Sequence, residues 1–411
     1  MRHVLKLVVL FSAVGTAAVA QVQPAAVGPG LTVTPAHPVY ALRYSQTVQA
    51  GNGTPTLQTS TLSGDLSYLN QSDRRPFQVD YSGGYTWTLS GPSYQNGLFQ
   101  HLYLSQGFDW RKVKINFNDN VSYLPQAPTT GFSGIPGIGE PIGTPNPGPT
   151  SSQLILTQNT HVVDNSADGS FETLIGKSTA VSAEGRYELL RYTDANALDT
   201  DTFTGRGELN ERLTGRTSVF GRYSYTQFSY PDYSITIQTT AAQAGIEHRW
   251  TRNLTTSFDA GPEWISSNDS GLVPSSNTIA ADATVSYLHR LSSFSASYNR
   301  GVNGGSGYLY GGMYDNVNGT FTHEFEPSLT LGLSGGYQRT DTLNTNGAIT
   351  AEFGGVQATY RVNDSLIVFA NYTGTNQTSS AIQLPSNVIT ALQNTFGFGI
   401  GYQPREAHPR Q

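Results

Sequence analysis

The chain has 411 residues (44.3 kDa), no cysteine, and a net charge of −6 from 23 basic and 29 acidic residues. The missing cysteines exclude disulfide scaffolds, thiolate metal centres and cysteine nucleophiles, and the acidic balance gives nucleic acid no basic surface to bind. Only 13% of residues are charged, against roughly 25% in ordinary soluble domains, while the 23 tyrosines and 18 phenylalanines argue against disorder.

The N-terminus reads as a targeting segment. Arg2, His3 and Lys6 form a positive start, Val8 to Ala18 is apolar, and Ala18-Val19-Ala20 is a small-x-small cleavage pattern before Gln21. Residues 1–20 are therefore expected to be a secretory signal peptide. The stretch is too short to span ~30 Å of hydrocarbon, and no other apolar run approaches the ~20 residues a membrane helix needs. Residues 21–38 are rich in Pro and Ala and are expected to be disordered.

From Val39 to Tyr402 the dominant signal is alternation at period two, the mark of strands. Phe77, Val79, Tyr81, Gly83, Tyr85, Trp87 and Leu89 share one face, against Gln78, Asp80, Ser82, Thr86 and Thr88. Val181 to Leu189 alternates with Ser182, Glu184, Arg186 and Glu188; Phe203 to Leu213 with Arg206, Glu208 and Arg212; Val219 to Tyr225 with Arg222. Leu254, Phe258, Ala260 and Trp264 oppose Ser257, Asp259 and Glu263. The pattern continues to Phe396–Tyr402. Between Ile349-Ala351-Phe353 and Val356-Ala358-Tyr360 its phase flips at Gly354-Gly355, which predicts a glycine bulge, since one extra residue exchanges the faces.

The connections alternate as well. Short turns such as Arg111-Lys112, Gly215-Arg216 and Asn363-Asp364 interleave with longer loops such as Thr193–Thr200, Ser266–Ser276 and Gly301–Gly312. Seventeen strands from Thr59 to Tyr402 would leave the first and last running the same way, so Val39 to Val48 is assigned as the missing strand. The prediction is an all-β, antiparallel up-and-down transmembrane β-barrel over residues 39–402, with about 18 strands and 16 as the alternative, short turns at the periplasmic end and long exterior loops. Backbone polar groups in lipid must pair internally, which closed barrels achieve and open sheets do not. Apolar residues then face lipid and polar ones face water, consistent with a mean hydropathy of −0.32.

The candidate lumen-lining residues are Glu184, Arg186, Glu188, Arg206, Glu208, Arg212, Arg222, Glu247, Arg249, Asp259 and Glu263, with Glu352 among others assigned to the same face. Rings of one charge sign would confer ion selectivity, and this set is mixed. Arg186, Arg206, Arg212 and Arg222 form either a basic ladder for anionic solutes or structural pairs with Glu184, Glu188 and Glu208. The loop 125–149 holds seven of the 21 prolines and almost no charge, and is expected to fold inward and narrow the lumen.

Other motifs carry little chemistry. Gly332-Leu333-Ser334-Gly335-Gly336 matches the nucleophile-elbow pattern but lacks the strand-turn-helix setting that pattern needs. The eight histidines are scattered, and His248, His289 and His323 lie near short turns, where interfacial anchoring suits them. Asp194, Asn196, Asp199 and Asp201 lack the order and closing Glu of a calcium loop. No catalytic residue, metal or cofactor is assigned.

The last strand has a polar residue at Thr395, glycine at Gly397, and hydrophobic residues at Ile400 and Tyr402. This resembles the C-terminal signal that presents outer-membrane barrels to their assembly machinery, although here a tail, residues 403–411, follows the terminal aromatic. In overall pattern the chain resembles the large porin-type outer-membrane β-barrels of Gram-negative bacteria, some of which accompany exopolysaccharide loci. The resemblance implies location in the outer-membrane lipid, the barrel-assembly machinery as a partner, and passive diffusion of small polar solutes. The alternative it implies is a non-conducting barrel supporting polysaccharide export or surface assembly. Oligomeric state is not legible in the sequence.

Overall fold

The computed structural model describes residues 38–51, 54–70, 72–91, 96–126, 160–193, 197–326, 328–344, 347–382 and 390–404. The expected signal peptide, the segment 21–37, nearly all of the loop 125–149, and the tail from 405 onward lie outside them.

Eighteen strands follow one another: β1 (Val39–Gly51), β2 (Thr54–Asn70), β3 (Phe77–Ser90), β4 (Gly97–Asp109), β5 (Val113–Gln126), β6 (Thr160–Leu174), β7 (Thr179–Tyr192), β8 (Thr200–Arg212) and β9 (Thr217–Tyr230). They continue as β10 (Ile235–Arg249), β11 (Leu254–Ser267), β12 (Ser276–His289), β13 (Ser292–Asn303), β14 (Gly312–Glu326), β15 (Leu329–Thr342), β16 (Ala348–Arg361), β17 (Leu366–Ser380) and β18 (Leu392–Tyr402). Each pairs antiparallel with its sequence neighbours, and β1 pairs with β18 from Leu42↔Tyr402 to Gly51↔Gln393, so the sheet closes on itself. The expected extra strand at Val39 is what permits this closure. Strands of 11 to 17 residues rise ~3.3 Å per residue, enough to cross an apolar band ~25 Å tall at a ~40° tilt.

Side-chain alternation separates two environments. Leu62, Tyr85, Leu98, Phe117, Tyr187, Phe203, Tyr223, Phe258 and Phe398 point outward and are exposed to the surroundings of the barrel. Their neighbours along each strand, Ser63, Thr86, Ser122, Ser182, Asp259 and Thr395 among them, point inward. Glycine and alanine occupy the outward face at mid-height: Gly169, Gly185 and Gly205 stand in one row across β6, β7 and β8. Aromatic residues crowd both ends of that face. At the turn end His248 packs edge-on to Trp250 (4.6 Å) and His323 to Phe325 (4.5 Å), with His289 stacked on Tyr287 (6.3 Å). Thr217 and Ser292 bond the Nδ1 atoms of His248 and His323 at 2.9 and 2.7 Å. An apolar outer band bounded by aromatic girdles, on a sheet with no free edge, is the form in which β-structure spans a bilayer.

Two expectations are corrected. β16 pairs with β15 and β17 without any shift at Gly354-Gly355, so no bulge exists there. The pattern flips because the surroundings change: Ile349, Ala351 and Phe353 are buried inward near the loop end, whereas Val356 and Tyr360 are exposed outward. The unbroken register also places Glu352 on the outward face, opposite Tyr337, and not in the lumen.

Candidate functional site

The eleven lumen candidates named from the sequence stand on the inward face: Glu184, Arg186 and Glu188 on β7, Arg206, Glu208 and Arg212 on β8, Arg222 on β9, Glu247 and Arg249 on β10, Asp259 and Glu263 on β11. Arg290, assigned to the same face, lies instead in the β12–β13 turn. Arg212 and Arg249 are exposed at the turn end, and Glu247 lies just above them. The rest gather at mid-height. Asp164 and Asp168 on β6 and Asp282 on β12 join them, extending a charged arc over seven consecutive strands.

Within this arc the arginines are engaged one by one. Arg186 Nη2 lies 3.3 Å from Glu188, and Arg206 Nη1 3.5 Å from Glu184. Arg222 donates from Nε (3.2 Å) and Nη2 (3.1 Å) to Glu208, while its Nη1 faces Asp259 (3.3 Å) and Asp282 (3.7 Å). Its guanidinium also sits 5.2 Å from the centre of the Phe220 ring. Asn299 and Gln243 donate to the two oxygens of Asp282, at 2.7 and 3.4 Å. Arg186, Arg206 and Arg222 are thus paired with acids, while Arg212 stands apart from them at the turn end.

The opposite wall differs. On β15 to β18 the inward polar positions include Gln338, Thr340, Gln357, Thr359, Thr373, Thr375, Gln377, Gln393 and Thr395, all uncharged, and near the loop end Ile349, Ala351 and Phe353 stand beside them. Gln338 donates to Thr340 (3.1 Å), and Gln49 of β1 to Gln393 (3.2 Å). Closing 18 strands ~4.8 Å apart at ~40° tilt in a round section separates opposite backbones by roughly 35 Å. Side chains do not fill such a width, and buried charge without water is expensive, so the interior between the two arcs is wet.

The loop end is different again. Between β13 and β14, residues 304–311 turn inward on three glycines of positive φ: Gly305 (+74°), Gly307 (+78°) and Gly311 (+67°). A Cβ on Gly307 would lie 2.4 Å from the Tyr192 ring, so only glycine passes there. Leu198 N–H donates to Gly307 O (2.7 Å) and Tyr230 Oη donates to Gly304 O (3.1 Å). Tyr310 meets Tyr230 and Tyr233 edge-on at 5.3 and 5.6 Å. Leu309 packs with Ile349, and Tyr310 with Val302, Leu343 and the buried set Phe228, Tyr230, Ile235, Ile237, Ile265 and Val273. Several of the apolar residues that break the polar pattern of the inner face, Ile237 and Ile349 among them, are ones this segment covers. The proline-rich loop 125–149, expected to narrow the lumen, lies almost wholly outside the described residues. The sequence signals for 304–311 are the inward apolar Ile349 and a Tyr-Leu-Tyr run inside a glycine loop.

The remaining motifs take ordinary places. Gly332–Gly336 lies in mid-β15, paired on both sides, with no helix after it. Asp199 and Asp201 are held by Arg191, the former at 3.6 Å, and Asp199 also accepts from the Tyr192 N–H at 2.9 Å. Burial raises the Asp199 carboxyl above its ordinary pKa, against the lowering effect of that N–H and of Arg191. Among the described residues no group of three His, Asp or Glu side chains is arranged to hold a metal ion. Thr395 and Gly397 on β18 point inward, and Ile400 and Tyr402 point outward beside the β1 seam.

No family model and no curated protein matches the chain. Similar solved structures include OccK2 (OpdF) of Pseudomonas aeruginosa, 11% identical, covering 90% of this chain and 99% of that one, with a TM-score of 0.44. OccAB4 of Acinetobacter baumannii is 10% identical over 91% and 99% of the two chains, with a TM-score of 0.45. The FrpB iron transporter of Neisseria meningitidis is 9% identical over 91% and 83%, with a TM-score of 0.43. At such identities and scores, the architecture of this chain rests on its own strand pairings and its two-faced side-chain pattern.

Proposed function

We propose that the protein is an outer-membrane channel through which small polar solutes diffuse passively. The observation that carries this reading is the inward charge at mid-barrel. Asp168, Glu184, Arg206, Arg222 and Asp259 sit at the depth where the outward neighbours are Gly, Ala, Tyr and Phe, and only water inside and lipid outside accommodate both. The secretory N-terminus supports the location, and the turn end, which carries both β1's start and β18's finish, is the periplasmic one. The outward Ile400 and Tyr402 of β18 support recognition by the barrel-assembly machinery. Purified protein inserted into planar lipid bilayers should give discrete, stable conductance steps; a correctly folded barrel that stays silent would overturn the channel reading. One observation favours the silent, export-associated alternative: residues 304–311 cover part of the mouth from within. The same recording decides between them.

A further inference from the structure

We infer that the lumen prefers cations to anions, and that the β6–β12 arc sets the preference. This rests on the channel reading above. From mid-height toward the loop end the arc holds eight carboxylates (Asp164, Asp168, Glu184, Glu188, Glu208, Asp259, Glu263, Asp282) and three arginines. Each arginine is already bound to acid: Arg186 to Glu188, Arg206 to Glu184, and Arg222 to Glu208, Asp259 and Asp282 together. A passing anion therefore finds each of these arginines with an acid already beside it, although Arg206 Nε keeps no hydrogen-bond partner.

The acid left over is specific. Asp164 and Glu263 are 9% and 5% exposed, and Asp164 Oδ1 and Glu263 Oε2 have no hydrogen-bond partner. Asp168 accepts from the neutral amide of Asn118 at 2.8 Å. These three carboxylates have no arginine bound to them, and two keep a buried oxygen without a hydrogen-bond partner. On the opposite wall, β15 to β18 present amide and hydroxyl groups, and their inward cation, Arg361, stands at the turn end. The internal segments outside the described residues contain no Lys or Arg, and their charged members, Glu140 and Asp194, are acidic. Nothing in the sequence of those segments supplies positive charge to cancel the excess.

A cation in this lumen is drawn toward the carboxylate-rich arc, and the amide and hydroxyl groups of the opposite wall carry no charge to oppose it. An anion meets a like-signed field on the first side. The reach of that field is set by screening: the Debye length is ~10 Å at 0.1 M salt and ~3 Å at 1 M. Across a lumen of this width the preference should be pronounced in dilute salt and nearly vanish in concentrated salt.

The test is the reversal potential of the full mature protein in planar bilayers under a KCl gradient near 0.1 M. The expected result is a potassium-to-chloride permeability ratio of several-fold, falling toward unity near 1 M. The triple variant Asp164→Asn, Asp168→Asn, Glu263→Gln should move the reversal potential toward zero with conductance retained. Asp168→Asn alone should give a smaller shift of the same sign, should the triple variant fail to assemble. Glu352→Gln, which removes an acid from the outer face, should leave the potential unchanged. Wild-type protein that is unselective or anion-selective at 0.1 M overturns the inference while the channel reading stands, as does a triple variant that keeps the full preference. A folded barrel with no conductance overturns the channel reading, and the inference with it.

Discussion

Gly207 gives a sharp test of which face meets lipid. It lies near the middle of β8, on the outward face, in the row of Ala183 and Tyr223. A Cβ built there finds nothing within 4 Å. Replacing Gly207 by Ala is therefore expected to be neutral, and replacing it by Arg introduces no steric clash. What Gly207→Arg does introduce is a guanidinium in hydrocarbon, which costs about 2–4 kcal/mol at the midplane of a lipid-facing barrel wall. At 1.4 kcal/mol per factor of ten, the folding equilibrium should fall by roughly 30- to 700-fold. The matched control is Thr284→Arg. Thr284 is an exposed inward residue of β12, flanked in register by Ser257 and Ser297, so its arginine enters the lumen's water. That change should stay within about 0.5 kcal/mol, as for an ordinary wetted surface. Urea titration of barrels folded into phospholipid vesicles measures both. Tryptophan emission serves as the probe, because Trp87 and Trp264 stand on the outward face. A Gly207→Arg barrel as stable as wild type, or a Thr284→Arg barrel less stable than Gly207→Arg, would refute the assignment of the two faces.

Three further outcomes are expected. Replacing residues 304–311 with a two-residue Asn-Gly turn should raise single-channel conductance, because the segment occupies the mouth through Gly307, Tyr308 and Leu309; unchanged conductance would mean it does not narrow the path. Ile237 is fully buried beneath that segment, and Ile237→Ala should weaken the local packing by about 2–4 kcal/mol. The reading is faster cleavage of the 304–311 segment by protease added from the loop side, with wild-type resistance counting against the packing described. Tyr402→Ser removes the terminal outward aromatic of β18, in register with Leu42 and Leu366. It should lower the amount of barrel assembled in cells while leaving refolding into detergent intact; equal losses in both would make Tyr402 a stability residue and not a recognition signal.

The barrel was legible in the sequence because its organising force is periodic. A wall one residue thick between lipid and water writes itself as strict alternation, and the runs at Phe77–Leu89 and Phe203–Leu213 show both solvents at once. Closure was legible by parity alone, since an up-and-down barrel with both ends at the turn side needs Val39–Gly51 as a strand. Three-dimensional content was less accessible. Whether Arg222 served an anion or its neighbours depended on Asp259 and Asp282, which lie 37 and 60 positions away and meet it only through the β9–β12 register. The inner face near the loop end defeated the two-solvent rule because a third environment, the protein's own segment 304–311, lies against it. That is why Ile237 and Ile349 look misplaced in sequence, while Ala351 and Phe353 pack instead against Ala391, and the three inward apolar residues of β16 together mimic a bulge. Glu352 was assigned to the wrong side through that same inferred flip.

The most direct measurement uses the absence of native cysteine. Single cysteines placed at each position from Gly354 to Thr359 of β16, in barrels reconstituted into vesicles, can be probed from both solvents. A charged, water-soluble thiol reagent should modify positions 355, 357 and 359, while a nitroxide attached to lipid chains should quench a fluorophore at 354, 356 and 358. Strict alternation between the two probes through this segment is the expected result. Reaction with the aqueous reagent at every position, or reversal of the two sets, would contradict a wall with lipid on one face and water on the other.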